Sequence, residues 1–168
     1  MQLHFRKATS VDCEAIWEIL KQAIERRKLE GSSQWQDGYP NPASIQKDLD
    51  NDWGYVITAA DAIVGYGALI FNNEPAYAAI KGGWLSDKDF LVLHRIAVSE
   101  KALRQGVAIR IFKEAEKLAK ANNVFSIKVD TNYDNTAMLH LLQKLEYIYC
   151  GEVMMRDNPR MAFEKLLK

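Results

Sequence analysis

Residues 94–108 combine residue types that can bind an anion. Ile96, Ala97 and Val98 end a predicted buried strand, a polar loop follows, and Gly106 opens a predicted helix. The N–H groups in the first turn of a helix point outward, and the helix dipole favours negative charge there. Glycine leaves no side chain where a phosphate would approach the backbone. The segment therefore predicts a phosphate-binding turn, although the same pattern is also typical of a tight strand-to-helix turn without a ligand.

This turn lacks the residues of two common nucleotide-binding loops. Ile109 and Arg110 stand where a P-loop carries lysine and a hydroxyl residue. The dinucleotide-binding fingerprint needs three glycines, and only Gly106 is present here. The turn is therefore neither a P-loop nor a dinucleotide-binding turn.

The elements that must position this turn follow from the spacing of apolar residues. The strand over residues 90–98 is nearly continuous in apolar and β-branched residues, which indicates a central strand covered on both faces. The helix over residues 106–121 has its apolar residues on one face and its charged residues on the other. Further strands are predicted over residues 3–8, 55–59, 63–71, 124–130, 147–153 and 160–167, and further helices over residues 13–29, 42–49 and 135–145.

Length, charge and cysteine content limit the class of protein. The chain has 168 residues, which suits one domain over residues 1–168, and 22 basic residues balance 22 acidic ones. Without a basic excess, no nucleic-acid partner is expected. The longest apolar stretch, residues 62–71, is far shorter than the roughly 20 residues of a membrane span. Cys13 and Cys150 lack metal-ligand spacing, and the first seven residues lack a signal-peptide core. We therefore expect a soluble cytoplasmic protein without a metal or membrane partner.

The turn resembles the acetyl-CoA-binding loop of the GNAT superfamily of N-acetyltransferases. That loop has Arg or Gln, two variable residues, Gly, one variable residue, and Gly or Ala; residues 103–108 here read Leu-Arg-Gln-Gly-Val-Ala. Residues 135–147, which begin with Asn135, are similar to the second motif of the family. Residues 5–9, followed by Asp12, resemble the usual opening of its members. Together the similarities extend over nearly the whole chain, in the element order of the family.

The resemblance implies a mixed α/β GNAT-like fold and acetyl-CoA as cosubstrate. The fold would have a central, mostly antiparallel sheet of about six to seven strands with about four helices on its faces. The pantetheine arm would run beside Ile96, Ala97 and Val98, where a backbone N–H would hold the thioester carbonyl. Asn135 matches the asparagine that contacts the cofactor. The pyrophosphate would lie on the backbone amides of Arg104, Gln105, Gly106, Val107, Ala108 and Ile109.

Two positions depart from the family pattern. Leu103 stands where Arg or Gln is common, and Arg104 is the adjacent residue that could replace its contact. Leu142 stands where many relatives carry a tyrosine proposed to protonate the leaving thiolate, but its place on the apolar stripe of its helix favours packing. The thiolate would then leave unassisted, or take a proton through water or a tyrosine. The candidate tyrosines are Tyr133, Tyr147 and Tyr149.

An amine acceptor that arrives protonated needs a base, and two residues are candidates. Asp130 ends a predicted strand at the position where relatives carry a glutamate base; it could instead form a turn with Thr131 and Asn132. His94 lies beside the strand that would bind the cofactor, and it could instead be a core histidine with its hydrogen bonds satisfied.

The acceptor site is expected in the loop between the first two helices. Trp35, Asp37 and Tyr39 could line a pocket for a cationic amine, because they supply two aromatic rings and a carboxylate. The same loop could instead be a cap that Trp35 tethers to the core. Residues 82–84, Gly-Gly-Trp, could form an opposing flap or a simple turn.

The leading functional hypothesis is an N-acetyltransferase that acts on a primary amine of a small molecule. One alternative is a protein or peptide acceptor, although no acidic or basic tract favours it. A second alternative is a non-catalytic acyl-CoA-binding sensor module, which Leu103 and Leu142 keep open. A homodimer is compatible with the resemblance alone.

Overall fold

The computed structural model describes all 168 residues. They form eight strands and four α-helices with connecting segments. The strands are β1 (Leu3–Lys7), β2 (Gly54–Ala59), β3 (Ala62–Phe71), β4 (Lys81–Gly82), β5 (Leu91–Val98), β6 (Ser126–Thr131), β7 (Ile148–Met155) and β8 (Asn158–Leu166). The helices are α1 (Cys13–Leu29), α2 (Pro42–Asp50), α3 (Val107–Ala121) and α4 (Thr136–Lys144). Every predicted strand and helix is present, with ends that differ by at most two residues. None of the helices is long and apolar enough to cross a membrane.

The strands form one sheet in the order β1-β2-β3-β5-β6-β8-β7-β4. Strand β5 pairs with β6 in parallel, from Leu91 opposite Ile127 to Leu93 opposite Val129. The pairs β1–β2, β2–β3, β6–β8, β7–β8 and β4–β7 are antiparallel. This mixed α/β sheet confirms the predicted fold class, with one strand more than the upper expectation. The extra strand, β4, is two residues long, too short to show any periodicity in the sequence.

The chain divides into two compact units by its internal contacts. The first unit comprises Met1–Leu69 with Arg95–Glu114, and the second comprises Ile70–His94 with Ala115–Lys168. The single domain expected over residues 1–168 stays a prediction.

The core of the first unit is built on α1. Its buried stripe of Ile16, Ile19, Leu20 and Ala23 packs with Ile45, Val56, Tyr66 and Ala97. The helix is preceded by a capping arrangement, in which the Asp12 carboxylate accepts the backbone N–H of Thr9 at 2.8 Å. Arg6 donates two hydrogen bonds to the same carboxylate, at 2.8 and 3.0 Å. These hydrogen bonds from Arg6 lower the pKa of Asp12 and fix the chain entry into α1.

The second unit buries polar groups as well as apolar ones. Glu164 is fully buried, and its carboxylate accepts the backbone N–H of Leu85 and the hydroxyl of Ser126, each at 2.6 Å. Lys128 is only 4% exposed. Its ammonium lies 4.4 Å from the ring centroid of Trp84 and 4.0 Å from that of Phe90, within cation–π range. Burial lowers the pKa of Lys128.

Candidate active site

The predicted anion-binding turn joins β5 to α3 within the first unit. The chain leaves Val98, makes a short 3-10 turn over Glu100–Ala102, and enters α3 at Val107. The carbonyl of Gly106 accepts the N–H of Arg110 at 3.0 Å, so Gly106 is the residue that caps α3. The amides of Val107, Ala108 and Ile109 therefore belong to the first helical turn, where N–H groups have no acceptor within the helix.

Two residues of this turn adopt the left-handed backbone conformation. Gly106 has φ of +81° and Arg104 has φ of +62°. A Cβ built on Gly106 would find no atom within 4 Å, so glycine is favoured by the backbone conformation alone and the position faces open space. Arg104, Gln105 and Gly106 are all exposed. Exposed amides beside a guanidinium are a donor set that fits a pyrophosphate group.

Helix α1 holds the end of β5 in place. The Arg26 guanidinium, through Nη2, donates to the carbonyl of Val98 at 3.0 Å, and the backbone N–H of Glu100 donates to Oε1 of Gln22 at 3.0 Å. Burial lowers the pKa of Arg26. Sequence reasoning missed Arg26 because its partner is a main-chain carbonyl far away in the sequence.

Strand β5 contains a left-handed residue, Arg95, whose φ is +53°. Its guanidinium binds both carboxylate oxygens of Asp48, with Nε 2.8 Å from Oδ2 and Nη2 2.5 Å from Oδ1. Nη1 donates to the Tyr39 hydroxyl at 2.5 Å, and Tyr66 donates its hydroxyl proton to Asp48. Asp48 is fully buried. Burial, followed by the negative charge of Asp48, raises the pKa of Tyr66.

In the second unit, Asp130 is hydrogen-bonded to a buried tyrosine. The hydroxyl of Tyr77 donates to Oδ2 of Asp130 at 2.6 Å. Tyr77 is 2% exposed, and its own carbonyl accepts the indole N–H of Trp84 at 2.9 Å. Burial, followed by the charge of Asp130, raises the pKa of Tyr77 well above its ordinary value. Tyr77 therefore keeps its proton and holds the Asp130 carboxylate.

His94 is largely buried, and one of its ring nitrogens is hydrogen-bonded to a carboxylate, which both the base and the core-histidine interpretations allow. Its Nε2 lies 2.7 Å from Oε2 of Glu74, and the two side chains are 13% and 15% exposed. The other oxygen of Glu74 accepts the N–H of Ala76 at 3.2 Å. The rings of His94 and Tyr77 lie 6.3 Å apart between centroids. The second unit thus brings both candidate bases, His94 and Asp130, into one polar cluster around Tyr77.

The candidate acceptor loop is only partly exposed. Trp35 packs against the core of the first unit, as the tethering interpretation predicts. Tyr39 is half-buried and directs its hydroxyl to Arg95, whereas Asp37 is exposed. Residues 82–84 were expected to form a flap or a simple turn. This expectation is wrong for Gly82, which lies in β4 and pairs with Gly151 of β7.

The remaining predicted residues take structural positions. Asn135 caps α4 by accepting the N–H of Met138 at 3.2 Å. Leu142 is fully buried, which confirms its packing role, and Leu103 is 38% exposed. Of the candidate tyrosine acids, Tyr147 is buried, while the exposed Tyr133 donates to Glu152 at 2.6 Å. Tyr149 is also exposed and contacts Phe163 edge to face, with 5.7 Å between ring centroids.

Comparison with known proteins identifies the family. The model of the acetyltransferase (GNAT) family matches residues 14–147. The crystal structure of a GNAT-family acetyltransferase from Streptococcus agalactiae shares 32% identity and a TM-score of 0.89, covering 99% of this chain and 96% of that one. No curated protein sequence matches this chain at a significant level. The chain belongs to the GNAT acetyltransferase family and is an acyltransferase enzyme.

More distant structures share the fold. A GNAT-family acetyltransferase from Listeria monocytogenes has 20% identity and a TM-score of 0.79, covering 98% of this chain and 95% of that one. The ribosomal-protein-S18-alanine N-acetyltransferase of Escherichia coli has 12% identity and a TM-score of 0.67, covering 99% of this chain and 93% of that one. At these identities the similarity concerns the fold alone.

Proposed function

We propose that this enzyme transfers the acetyl group of acetyl-CoA to a primary amine of a small molecule. The observation that carries the proposal is the turn between β5 and α3, with its exposed left-handed Arg104 and Gly106 and the first-turn amides of α3. This turn would bind the pyrophosphate through Arg104, Gln105, Gly106, Val107, Ala108 and Ile109. Ile96, Ala97 and Val98 would lie beside the pantetheine arm, and Asn135 would contact the same cosubstrate.

The reaction would be direct attack of the neutral amine on the thioester. The amine nitrogen forms a bond to the acetyl carbonyl carbon, and the bond between that carbon and sulfur breaks. A backbone N–H of residues 96–98 would stabilise the oxyanion formed during the attack. The nitrogen then releases a proton and the thiolate takes one up through water, because fully buried Leu142 offers no acid at the position where relatives carry tyrosine.

The pair His94 and Glu74 is the better-supported base. Glu74 binds one ring nitrogen of His94 at 2.7 Å, and its carboxylate would stabilise the imidazolium that forms when Nδ1 accepts the proton of the amine. Asp130 is the second candidate, but its Oδ2 already accepts the Tyr77 hydroxyl. In this scheme Asp130 contributes negative charge near the reacting ammonium, and His94 removes the proton.

The charge of Asp37 supports a cationic amine as the acceptor. Asp37 is exposed, and a carboxylate in the acceptor loop would attract a cationic amine. Trp35 and Tyr39 line this loop, but their rings do not offer open faces to an amine. Trp35 packs on the core, and Tyr39 binds Arg95.

Calorimetric titration of CoA-stripped protein tests the cosubstrate assignment. Acetyl-CoA and dephospho-CoA should both bind saturably, because both carry the pyrophosphate, whereas S-acetylpantetheine, which lacks it, should bind far more weakly. Equal binding of acetyl-CoA and S-acetylpantetheine would contradict a pyrophosphate site in this turn. Absence of acetyl-CoA binding would contradict the proposed reaction.

An acceptor panel with a thiol-release readout tests the substrate class. Small primary amines should release CoA from acetyl-CoA faster than a peptide with an N-terminal alanine does. The peptide is included because ribosomal-protein-alanine acetyltransferases share the fold. Faster release with the peptide would overturn the small-molecule assignment and leave the acetyltransferase activity in place.

A further inference from the structure

Arg95 has a backbone conformation that its residue type disfavours. Regular strands have φ near −120°, whereas Arg95, inside β5, has φ of +53°. A non-glycine residue in the left-handed region has its Cβ too close to the following carbonyl oxygen, which costs free energy. Such a residue persists where surrounding contacts hold it. Glycine would adopt this conformation without that cost, yet the chain has an arginine here.

The contacts that hold Arg95 come from its side chain. Asp48, in the last turn of α2, binds the guanidinium through both carboxylate oxygens. The carboxylate of Asp48 is 1% exposed and the Arg95 side chain is 10% exposed, so water does not compete strongly for either group. Tyr66 donates to the carboxylate, and Tyr39 accepts from the guanidinium. Asp48 and Tyr39 therefore fix where the Arg95 side chain lies, and Tyr66 fixes the carboxylate of Asp48.

Arg95 directly precedes the strand residues that the proposed function assigns to the thioester. A φ of the opposite sign at residue 95 would redirect the chain that follows it, and with it the N–H groups of Ile96, Ala97 and Val98. A misplacement of about 1 Å in a catalytic hydrogen bond is enough to lower a rate strongly.

We propose that Asp48 is a positioning residue for catalysis: by binding the Arg95 side chain, it keeps residue 95 left-handed and so aims the N–H groups of residues 96–98 at the thioester carbonyl. This inference rests on the proposed function. The carboxylate of Asp48 lies outside the reacting groups. It would nevertheless affect the rate of acetyl transfer, in addition to contributing to the core.

The test separates positioning from core stability by using the Asp48→Asn background. In that background no buried carboxylate loses its partner when Arg95 is replaced, which removes the main reason for a folding defect. Asp48→Asn/Arg95→Gly and Asp48→Asn/Arg95→Ala both lack the guanidinium, but only glycine reaches the left-handed region without cost. The glycine variant should have a kcat about tenfold above that of the alanine variant. Their affinities for acetyl-CoA should differ less than their kcat values, because the turn that would bind the pyrophosphate begins after Val98 and is the same in both.

The conformation of residue 95 is measured separately, in the protein without ligand. A strong NMR cross-peak between the amide and Hα protons of residue 95 marks a positive φ. The wild type should show it, and the alanine double variant should not; the glycine double variant is left out of this comparison, because its residue 95 has two α protons. Arg95→Lys keeps the buried positive charge but cannot bind both carboxylate oxygens as a planar fork. It should fold and show a weaker cross-peak with a lower kcat.

Three outcomes are decisive. Equal kcat in the glycine and alanine double variants would overturn the positioning role, and so would a positive φ in both the alanine double variant and Arg95→Lys with equal loss of activity. A wild type that fails to acetylate any amine would overturn the proposed function, and the NMR result would still show whether the contact between Asp48 and Arg95 controls the conformation of residue 95.

Discussion

Glu74 bridges two parts of the second unit: its Oε2 lies 2.7 Å from Nε2 of His94, and its Oε1 accepts the N–H of Ala76 at 3.2 Å. The hydrogen bond to Ala76 fixes the carboxylate, and the carboxylate fixes the imidazole. One tautomer of His94, with the proton on Nε2, is favoured by this arrangement, which leaves Nδ1 as the proton acceptor. The pair has the geometry of an oriented general base.

Substitution of His94 tests this base. His94→Gln should lower kcat about 100-fold at neutral pH, because the amine then loses its proton acceptor. The loss should shrink as the pH rises toward the pKa of the amine acceptor, since the amine loses its proton to solvent there. Rate measurements over a range of pH check this. Glu74→Gln, which keeps the size of the side chain, should show a smaller loss with the same trend.

A different pH dependence would remove the assignment of the general base to His94. If His94→Gln loses activity equally at every pH, the histidine is not the base. Asp130→Asn is the comparison: a loss that is larger at neutral than at alkaline pH in this variant alone would assign the base to Asp130.

The turn before α3 is tested by a charge reversal with a matched control. Gly106→Asp should abolish acetyl-CoA binding, because it puts a carboxylate where the pyrophosphate would lie. Gly31→Asp is the control, since Gly31 also has a positive φ, +76°, and open space around a built Cβ. Both variants carry the same backbone cost, so calorimetry should show lost binding only for Gly106→Asp. Equal affinity in the two variants would refute the assignment of the turn.

The acceptor loop is tested at its exposed carboxylate. Asp37→Asn should raise the KM for a cationic amine about threefold, which is typical of losing one partly exposed charge. The affinity for acetyl-CoA should stay unchanged. Asp61→Asn, at the exposed turn between β2 and β3, is the control and should change neither quantity. A KM that stays constant in Asp37→Asn would exclude Asp37 from acceptor binding.

Substitution of Asp12 tests how the free energy of unfolding changes at low pH. Arg6 lowers the pKa of Asp12 in the folded chain, below the ordinary value of about 3.9. Asp12 therefore contributes stability at neutral pH, and this contribution disappears as the pH falls through the lowered pKa. Asp12→Asn should reduce the free energy of unfolding by about 1 kcal/mol at pH 7. Denaturant titrations should show the difference closing below pH 4, roughly; a difference that persists there would contradict the ion pair as its cause.

The sequence predicted what short-range patterns encode. The strand, turn and helix around Gly106 and the burial of Leu142 depend on neighbours within a few residues. The structure confirms both of these. Strand β4 was missed because two residues carry no period.

The polar partners could not be found in the same way. Asp48 and Arg95 are 47 positions apart, and Glu74 and His94 are 20 apart. Charged residues on a short helix or in a loop usually face solvent. Only the folded chain shows that Asp48 is fully buried and that His94 has a carboxylate partner.

The burial of Lys128 has a consequence for the enzyme's own modification. An amine must be neutral to attack a thioester, and burial lowers the pKa of Lys128 while the chain is folded. Trp84 and Phe90 cover its ammonium and only 4% of the residue is exposed, so a thioester cannot reach it while the chain is folded. Acetylation at Lys128, detected by mass spectrometry, would therefore mark chains that had opened.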